Sequence, residues 1–481
     1  MADPASTRPS TDLRRVLIPL ALAQFICSFA GSNMNVMIND ISEDLGTTVQ
    51  GVQFAITIFL LVMAALMIPG GKLTDKYGRK LCLNVGLTVY GVGALISAVS
   101  PGIGVLILGN SILEGIGTAL LIPPVYILTT LLFTDVTSRA RAFGAISGMG
   151  GIGAAAGPLI GGLITTAISW RAAFVFQALV VVVIIVLSQK YVRDPLPADR
   201  TRPFDAGGAV LSALGLVLVV LGILLADDNI VAMLALVGAG ALVLVWFFAS
   251  TRAKERAGKE PLLSTALFRN RTSNLGLVTQ NIQWMILMGV SFVVSAYLQV
   301  VRGYNAIETG VVFTAATVGL MLSSLAAERL AKRRAQRTLV LAGFAVTIVG
   351  IVVFLVVVGL SDSVWAFVPG LFLIGLGIGA MLTPSVNIVQ SSFAEHLQGE
   401  ISGLSRSVSN LGSSLGAAIA GTILVAAITT QPGRSYAVAM SVLAVIGVGG
   451  LVAAARLPAV PPSPAGSPAV PSQPRRPAQP S

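Results

Sequence analysis

Charged residues are scarce in this chain. Asp, Glu, Lys and Arg make up 11% of its 481 residues, whereas soluble proteins usually have about a quarter. Hydrophobic residues make up 55%, and the mean hydropathy is +0.87. This composition excludes a string of soluble domains and indicates that lipid surrounds most of the chain. The net charge of +11 would suggest nucleic acid for a soluble protein, but in a membrane protein cations set orientation, so we expect no nucleic-acid partner.

Cysteine and histidine are almost absent. The two cysteines, Cys27 and Cys82, lie in apolar runs, which argues against a disulfide framework. The single histidine, His396, has no neighbouring cluster of metal ligands, and no pattern of nucleophile and base accompanies it. We therefore expect neither an enzyme nor a metal or organic cofactor.

Long apolar runs, in contrast, are abundant. A membrane span needs roughly 20 apolar residues, and by that rule the sequence predicts an all-α membrane protein of fourteen spans. They are 16–38, 51–70, 81–99, 104–130, 141–168, 172–192, 206–226, 230–249, 274–298, 309–327, 338–360, 364–389, 401–424 and 436–456. The first run is too long for the core of a signal peptide and lacks a cleavage site after it, so we expect it to remain as a span.

Lys and Arg are concentrated on one side of the predicted spans. All but four of the 31 lie in the tails or in loops that share one side of the membrane. Arg171, Arg302 and Arg434 lie in the opposite loops, and Arg406 lies within a span. The positive-inside rule therefore predicts that both termini are cytoplasmic and that the bilayer is the main surrounding of the chain.

A faint internal repeat divides the chain. Gly153, Gly157 and Gly162 recur 259 positions later as Gly412, Gly416 and Gly421. Two halves repeated in parallel are a known transporter architecture. We predict a cytoplasmic tail, a six-helix half, an inserted pair of spans with its loops, a second six-helix half and a disordered cytoplasmic tail. Their bounds are 1–15, 16–195, 196–260, 261–457 and 458–481.

A short polar segment, residues 71–80, separates spans 2 and 3 and reads G-K-L-T-D-K-Y-G-R-K. The positive-inside rule alone would explain its cations. It does not explain Asp75, or the glycines Gly71 and Gly78, which allow helix ends to pack closely. A carboxylate at this position can face a helix N-terminus or a nearby arginine.

This segment resembles the loop pattern G-x-L-x-D-[RK]-x-G-[RK]-[RK] of the major facilitator superfamily and matches it at every position. The resemblance implies two six-helix halves that move around a central cavity, with an inserted two-helix hairpin. It also implies that the segment latches the halves together on the cytoplasmic side. The latch residues would be Gly71, Asp75, Gly78 and Arg79, with Asp135 as a second charge partner and the start of span 13 as a dipole contact.

Span 5 contains the run G-A-A-A-G-P-L-I-G-G. Small residues at every fourth position allow helices to approach closely, and a proline kinks a helix, so plain packing would explain the glycines alone. With its Gly-Pro pair, the run resembles the antiporter motif of the superfamily, here Gly153, Gly157, Pro158, Gly161 and Gly162. Further stretches, such as Q-F-A-I-T at 53–57 and S-W-R at 169–171, resemble the fourteen-span drug/proton antiporter branch. The resemblance implies a monomeric exporter of the bacterial inner membrane, with protons and a small molecule as its partners.

The chain departs from that branch at two positions. Ala30 stands where the branch usually has an aspartate, and Ser111 where it usually has an arginine; both are linked there to proton coupling or cation recognition. Glu114 is instead the acidic residue deep inside an apolar run. An intramembrane carboxyl is costly unless it has a role or a partner, so we assign proton coupling to Glu114, against the alternative of a permanently protonated structural side chain. For Arg406, at the cytoplasmic end of span 13, the alternatives are a functional cation and one that snorkels to the membrane surface, and we favour snorkelling.

Polar stripes along spans 1 and 9 are predicted to line the substrate cavity. Polar side chains at helical spacing share one face, and in lipid that face must point to a cavity or to other helices. Hydrogen bonding between helices is therefore the alternative. The predicted cavity residues are Gln24, Ser28, Ser32, Asn35, Glu114, Gln280, Asn281 and Trp284.

The predicted function is export of small apolar or amphipathic compounds, such as drugs or toxic metabolites, by alternating access and driven by the proton gradient. A second hypothesis is transport of a lipid or one dedicated metabolite without tight proton coupling, which the residues at 30 and 111 favour. A third is a membrane sensor or scaffold that transports nothing. It would need a soluble output domain, and the predicted tail is too short to be one.

Overall fold

The computed structural model describes residues 10–133, 136–195, 198–201, 203–225, 229–331, 335–360, 363–393, 398–428 and 432–458. The first six long helices are α1 (Ser10–Asn33), α2 (Val49–Tyr77), α3 (Arg79–Ala98), α4 (Ile103–Leu132), α5 (Val136–Ala167) and α6 (Trp170–Tyr191). Then come α7 (Ala206–Leu224), α8 (Ile230–Arg256), α9 (Arg271–Ala296), α10 (Ala306–Ala331), α11 (Gln336–Leu360), α12 (Phe367–Gln390), α13 (Gln398–Ile428) and α14 (Pro432–Ala455).

Three of these helices change their winding along their length. The chain of α1 continues through a 3-10 turn, Met34–Met37, into a short helix, Ile38–Asp44. In α4, the stretch Ile107–Glu114 is π-helical, and α9 ends in a π-helical turn, Tyr297–Val301. Single π-helical turns within α-helices are frequent at functional sites.

Thirteen stretches of the described residues are long and apolar enough to cross a membrane. The other long helix, α13, is more polar, and it is enclosed by α2, α9 and α14. Its buried hydroxyls face protein: the Oγ of Ser407 donates to the Ala64 carbonyl (2.5 Å) and that of Ser414 to the Thr57 carbonyl (3.1 Å). The predicted all-helical membrane fold is confirmed, and each predicted span corresponds to one of α1–α14.

The two sets of six helices, α1–α6 and α9–α14, pack in the same pattern. In the first set α1 packs on α5, α2 and α3 pack on α4, and α3 packs on α6. In the second set α9 packs on α13, α10 and α11 pack on α12, and α11 packs on α14. Each helix of the first set thus corresponds to the helix eight places later in the second. The two sets meet where α2 contacts α13 and where α5 contacts α10. By this correspondence α2 matches α10 and α5 matches α13, so the two junctions are equivalent.

Glycines make the closest of these contacts at matching positions. A Cβ atom added to Gly153 in α5 would overlap the carbonyl oxygen of Phe25 in α1, and one added to Gly412 in α13 would overlap that of Asn281 in α9. The next glycine of each helix, four residues on, approaches the same partner helix one turn later. Small residues let helix backbones touch where lipid supplies no hydrophobic drive, so the repeat in the sequence is a repeat in packing.

The third glycine of each repeated group, Gly162 or Gly421, lies between the two sets of helices rather than within one set. Gly162 lies against the carbonyl of Ala306 at the α5–α10 junction, and Gly421 lies against the side chain of Gln53 at the α2–α13 junction. Gly310 of α10 in turn faces the carbonyl of Pro158. The antiporter run in α5 therefore packs on α1 with its first glycines and on the other half with its last.

Replacing Gly157 or Gly416 by alanine is expected to lower the free energy of unfolding by about 1–3 kcal/mol, the usual cost of overpacking. A Cβ at Gly157 would overlap Ser32, and one at Gly416 would overlap the carbonyl of Met285. Gly151→Ala is the matched control, because nothing lies within 4 Å of its added Cβ and alanine is the better helix former by about 1 kcal/mol. Thermal unfolding of the purified variants measures the difference; equal midpoints for Gly157→Ala and Gly151→Ala would contradict it.

The inserted pair, α7 and α8, forms a hairpin on the outside of the α2–α13 junction. The two helices pack closely at Gly215 and Gly240, where an added Cβ would lie 2.7 and 2.8 Å from atoms of the partner helix. α7 also contacts α2 and α13, and the hydroxyl of Thr422 donates to the carbonyl of Ile223 (3.3 Å). Side chains along α8, such as Leu242 and Trp246, are exposed as on a surface that faces lipid.

Candidate transport site

The polar segment at 71–80 is a helical corner and not a loop. α2 runs on through Tyr77, and α3 begins at Arg79, so Gly78 alone joins them. Gly78 has φ +98°, a conformation that glycine adopts without strain. The close packing expected of Gly71 occurs one residue earlier: a Cβ at Gly70 would overlap α4, whereas one at Gly71 would make an ordinary contact of 3.8 Å. The Lys and Gly residues of this segment indicated that the helix ends at residue 70, so the sequence did not predict the last two turns of α2.

Asp75 and Arg79 lie on either side of this corner and form an ion pair, with 3.3 Å between Asp75 Oδ1 and an Arg79 guanidinium nitrogen. Asp194, which follows α6, accepts hydrogen bonds from the backbone N–H of Arg79 (2.6 Å) and of Lys80 (3.3 Å). It therefore caps the N-terminus of α3, where a carboxylate is favoured. Sequence reasoning missed Asp194, since its partners lie more than a hundred residues away.

The ion pair that joins the two halves here is formed by Lys72 and Glu400. The Lys72 Nζ lies 2.9 Å from Glu400 Oε1 in the first turn of α13, and the two side chains are 26% and 27% exposed. The other oxygen of Glu400 accepts from the Ser264 backbone N–H (3.3 Å). A contact at the start of span 13 was expected, but through Asp75; Asp135, the expected second partner, lies outside the described residues.

We call the end of the bundle that carries Lys72, Arg79 and Arg256 the basic face, and the other end the opposite face. The opposite face is closed between the halves. The Asn35 carbonyl accepts hydrogen bonds from the Oγ of Ser295 and from Gln299 Nε2, which joins α1 to α9. Gln53 Nε2 of α2 donates to the Ala417 carbonyl of α13 (3.0 Å). The α5–α10 junction at Gly162 lies on this side as well.

A cavity of about 270 Å³ lies between the halves on the side of the basic face. Its wall is formed by α2, α4, α13 and the segment that precedes α9, with apolar side chains such as Met67, Ile122 and Leu263. Lys72, Asp75 and Glu400 also line it. The lining is therefore mixed, apolar side chains on one part and charged or hydroxyl-bearing ones on the other, and a concave site that combines the two can hold a small molecule.

Tyr126 and Arg406 form the main polar feature of this cavity. The Arg406 guanidinium carbon lies 4.8 Å from the centre of the Tyr126 ring, and the guanidinium donates to the Tyr126 hydroxyl. That hydroxyl donates in turn to Gln24 Oε1 (3.1 Å). Arg406 therefore points inward, and the expectation that it snorkels to the surface is wrong, because stacking on an aromatic face and a hydroxyl acceptor stabilise the guanidinium inside.

Glu114 is fully enclosed, with 0% of its surface exposed, at the end of the π-helical stretch of α4. It packs against Gly93 of α3, where an added Cβ would lie 3.0 Å from the Glu114 Cγ. Tyr90 lies beside its carboxyl group, while the Tyr90 hydroxyl donates to Gln177 of α6. Neither carboxyl oxygen receives a well-formed hydrogen bond from the residues that the structure describes.

Glu114 lies inside the first set of helices rather than on the wall of the cavity. Cys27 of α1 is near enough to Glu114 and to Arg406 for both charges to act on its thiol. Ala30 is buried in the same helix, and the hydroxyl of Ser111 donates to the Ala55 carbonyl (2.7 Å). The two positions where the chain departs from the antiporter branch are thus ordinary packing positions here.

The polar stripe of α1 divides among different neighbours. Gln24 reaches the cavity wall through Tyr126 and donates to the Ser28 hydroxyl (3.1 Å). Ser32 donates to carbonyls of its own helix and packs against α5, and Asn35 lies at the closed opposite face. The residues around the cavity on the side of the basic face do not include these four.

The predicted residues of α9 connect that helix to α13. Gln280 Oε1 accepts from the Ser405 hydroxyl (2.9 Å), and Asn281 Nδ2 donates to the Val408 carbonyl (2.9 Å). Trp284 is half-buried against the core. Hydrogen bonding between helices, the alternative reading of such stripes, accounts for these contacts, and a role in substrate binding stays a prediction.

Asp205 tethers the inserted hairpin to the segment before α9. Its carboxylate accepts from Lys254 Nζ (2.6 Å) and from the backbone N–H of Gly208 (2.7 Å) and Leu262 (3.1 Å). Burial by itself would raise the pKa of this carboxyl, but the hydrogen bonds and the Lys254 charge outweigh it and hold the pKa below its ordinary value. The tether is therefore made by an ionised aspartate.

Asp205→Asn is expected to weaken this tether at pH 7 by about 1–2 kcal/mol, since hydrogen bonds to a charged group are lost. The folded protein lowers the pKa, so the stabilisation is present above the unfolded pKa of about 4 and is lost as the pH falls further. Thermal unfolding should separate Asp205→Asn from wild type at pH 7 and less so near pH 3.5. Glu43→Gln, whose carboxylate accepts from Asn39 of the same helix, is the control; a difference that grows at low pH would contradict the assignment.

Comparison with known proteins agrees with this architecture. A family model described as Major Facilitator Superfamily matches residues 20–417. The puromycin resistance protein pur8 of Streptomyces alboniger is 29% identical over 415 residues, which covers 85% of this chain and 81% of that protein. The multidrug efflux pump LfrA of Mycolicibacterium smegmatis is 28% identical over 427 residues, which covers 88% and 83%.

A solved structure shows the same fold. The crystal structure of the peptide transporter POT in complex with sulfate superposes with a TM-score of 0.66 at 17% identity and covers 92% of this chain and 95% of that one. The family model spans most of the chain, and the two sets of helices pack as repeated halves. The chain therefore belongs to the Major Facilitator Superfamily and is a multi-pass membrane transporter of small molecules, not an enzyme.

Proposed function

We propose that this protein exports small apolar or amphipathic compounds, antibiotics among them, in exchange for protons. The relatives named for puromycin resistance and multidrug efflux support the class of cargo. The observation that carries the proposal is Glu114, a fully enclosed carboxyl beside Tyr90 that forms no ion pair with the described residues. Such a group is costly within a membrane, and binding and releasing a proton is the chemistry that a carboxyl can supply there.

In this proposal the halves are residues 16–195 and 261–457, and they rock about the cavity as rigid bodies. The segment 196–260 carries the inserted hairpin. The Lys72–Glu400 pair, with the corner at Gly71, Asp75, Gly78 and Arg79, would open and close the basic face. The α5–α10 and α1–α9 contacts would open and close the other.

The distribution of cations supports a cytoplasmic basic face in the inner membrane of a bacterium. The cavity that lies on this side would then receive cargo from the cytoplasm. Opening the opposite face would release it outside, while a proton enters by the reverse route. We expect a monomer to suffice, since one chain contains both halves.

The test is drug accumulation in a host strain that lacks its own efflux pumps, followed by transport in proteoliposomes with an imposed pH gradient. Expression should lower the accumulation of at least one antibiotic, and the gradient should drive its movement in vesicles. Unchanged susceptibility to every compound of a broad panel would contradict drug export. Movement that ignores the pH gradient would contradict proton coupling.

A second candidate function is transport of one dedicated acidic metabolite without tight coupling. Arg406 favours it, because a guanidinium on the cavity wall suits a cargo with a carboxylate or phosphate group. A panel of matched anionic and cationic compounds distinguishes the two functions. Uptake of anions alone, reduced at least about tenfold in Arg406→Gln, would favour the metabolite.

A further inference from the structure

A second cavity lies outside the transport path, at the basic-face end of the inserted hairpin. It measures about 500 Å³, within the usual range for a ligand site, and lies between the end of α8 and the 3-10 turn Thr265–Phe268. The side chains around it are Phe248, Arg252, Glu255, Arg256, Thr265, Phe268 and Arg269. Three arginines therefore surround one cavity beside two aromatic rings, and the transport mechanism makes no use of these arginines.

The net charge of the side chains around this cavity is positive, although the Arg269 charge already acts on Glu255. Arg252, Arg256 and Arg269 are exposed. Glu255 is the one carboxylate among the lining residues. Its oxygens already accept from the Thr265 backbone N–H (2.7 Å), the Thr265 hydroxyl and the Ser264 hydroxyl (3.3 Å). Arginine forks bind phosphate oxygens in pairs, so an anion in this cavity would find several donors.

The cavity also lies where the surface changes from apolar to basic. Leu242, Val245 and Trp246 of α8 are exposed, and Arg252 follows less than two turns later. Phe248 and Phe268 pack edge to face, with 5.2 Å between ring centres. Exposed aromatic residues followed by arginines are typical of the membrane interface, and basic pockets between helices on that side bind anionic lipid head groups.

We propose that this cavity binds the phosphodiester head group of an anionic phospholipid from the surrounding leaflet. The arginines contact the phosphate, and the lipid chains extend along the exposed apolar surface of α8. A free phosphate or phosphorylated metabolite shares the head-group chemistry, but it would make no contact with the adjoining apolar surface of α8.

The site is connected to the latch of the transporter by hydrogen bonds. Glu255 bonds to residues 264 and 265, and the Ser264 N–H donates to Glu400 (3.3 Å), which pairs with Lys72. Lipid in the cavity would therefore steady the segment 262–268 and, through it, the ion pair that closes the basic face.

Native mass spectrometry of the purified full-length protein tests the binding. Phosphatidylglycerol and phosphatidylcholine with the same acyl chains are added separately. Wild type should retain phosphatidylglycerol in preference, and the triple variant Arg252→Gln, Arg256→Gln, Arg269→Gln should bind it at least about tenfold more weakly, since each surface cation adds to the attraction. The control removes three other cations of the basic face, with Lys190→Gln, Arg193→Gln and Arg200→Gln, and should bind like wild type.

Two results would overturn the proposal: equal retention by wild type and the triple arginine variant, or an equal loss in the control. Glycerol phosphate, added as a competitor, separates the sources of the anion. Competition as strong as that of the lipid would assign the site to a soluble phosphate and overturn the lipid. The single variants Arg252→Gln and Arg256→Gln supply the same comparison should the triple variant prove unstable, and each should lose part of the retention.

Hydrogen–deuterium exchange measures the connection to the latch. Phosphatidylglycerol should slow exchange in the segment 262–268 of wild type and leave the triple arginine variant unchanged. Equal exchange in wild type with and without the lipid would overturn that connection.

Discussion

Glu114→Gln is expected to reduce accumulation driven by a pH gradient at least about tenfold. Glutamine has the shape of glutamic acid and can still contact Tyr90, but it neither takes up nor releases a proton. A gradient of one pH unit is worth about 1.4 kcal/mol per proton, which supports about tenfold accumulation in a one-for-one exchange. Cargo binding and exchange of labelled for unlabelled cargo should persist, because Glu114 does not line the cavity. Proteoliposomes with a pH-sensitive dye inside measure cargo and proton movement together.

Glu43→Gln is the control for this substitution. Glu43 lies on the opposite face, is exposed and accepts from Asn39 Nδ2 (2.9 Å). The Glu43→Gln variant should transport cargo and move protons like wild type. Glu114→Gln that accumulates cargo as well as wild type under the same gradient would show that coupling lies elsewhere. Loss of exchange together with accumulation would instead indicate a damaged fold.

Lys72→Glu is expected to slow transport about tenfold, and Lys72→Glu combined with Glu400→Lys is expected to restore most of it. The single change places two carboxylates in contact at the basic face. At the partial burial of this pair, repulsion between charges about 4 Å apart is of the order of 1–4 kcal/mol. The exchanged pair restores attraction, though incompletely, because a lysine at position 400 cannot accept from the Ser264 N–H.

Transport rates and the distance between spin labels on the basic-face ends of α2 and α13 measure these variants. Lys72→Glu should lengthen that distance, and the exchanged pair should shorten it again. Lys76→Glu serves as the control, since Lys76 is four residues along the same helix and lies over the Tyr77 ring (5.9 Å). If the exchanged pair were no better than the single variant, Lys72 and Glu400 would not act as a latch.

The membrane-crossing helices were predictable because each is a local property. A run of roughly 20 apolar residues has one stable form in lipid, so every predicted span has its helix. The glycine repeat was predictable for a similar reason. Where two helix backbones touch, the position must be glycine, because any side chain would overlap the partner helix. Helix ends were less predictable, and the last two turns of α2 before Gly78 are an example. Their charged residues indicate the end of a membrane span, whereas their helix propensity favours continuation of the helix.

The partners of charged and polar side chains were not predictable. Lys72 meets Glu400 across 328 positions, and Arg406 finds Tyr126 across 280; nothing local to either residue distinguishes its partner from other candidates. The polar stripes of α1 and α9 illustrate the same limit. A polar face indicates that lipid is absent from it, but a cavity and a neighbouring helix satisfy that condition equally well.

The amino-acid sequence by itself determined the membrane-spanning class, the helices, the repeat and the family, because apolar length, glycine spacing and a complete motif are carried by neighbouring residues. Only the tertiary structure decided which groups meet. It turned Arg406 inward, enclosed Glu114 away from the cavity, paired Glu400 with Lys72 across the two halves and assembled an arginine cavity from α8 and the segment before α9. The physical reason is that such contacts depend on how rigid helices pack against one another, and that packing is decided by the whole set of helices at once.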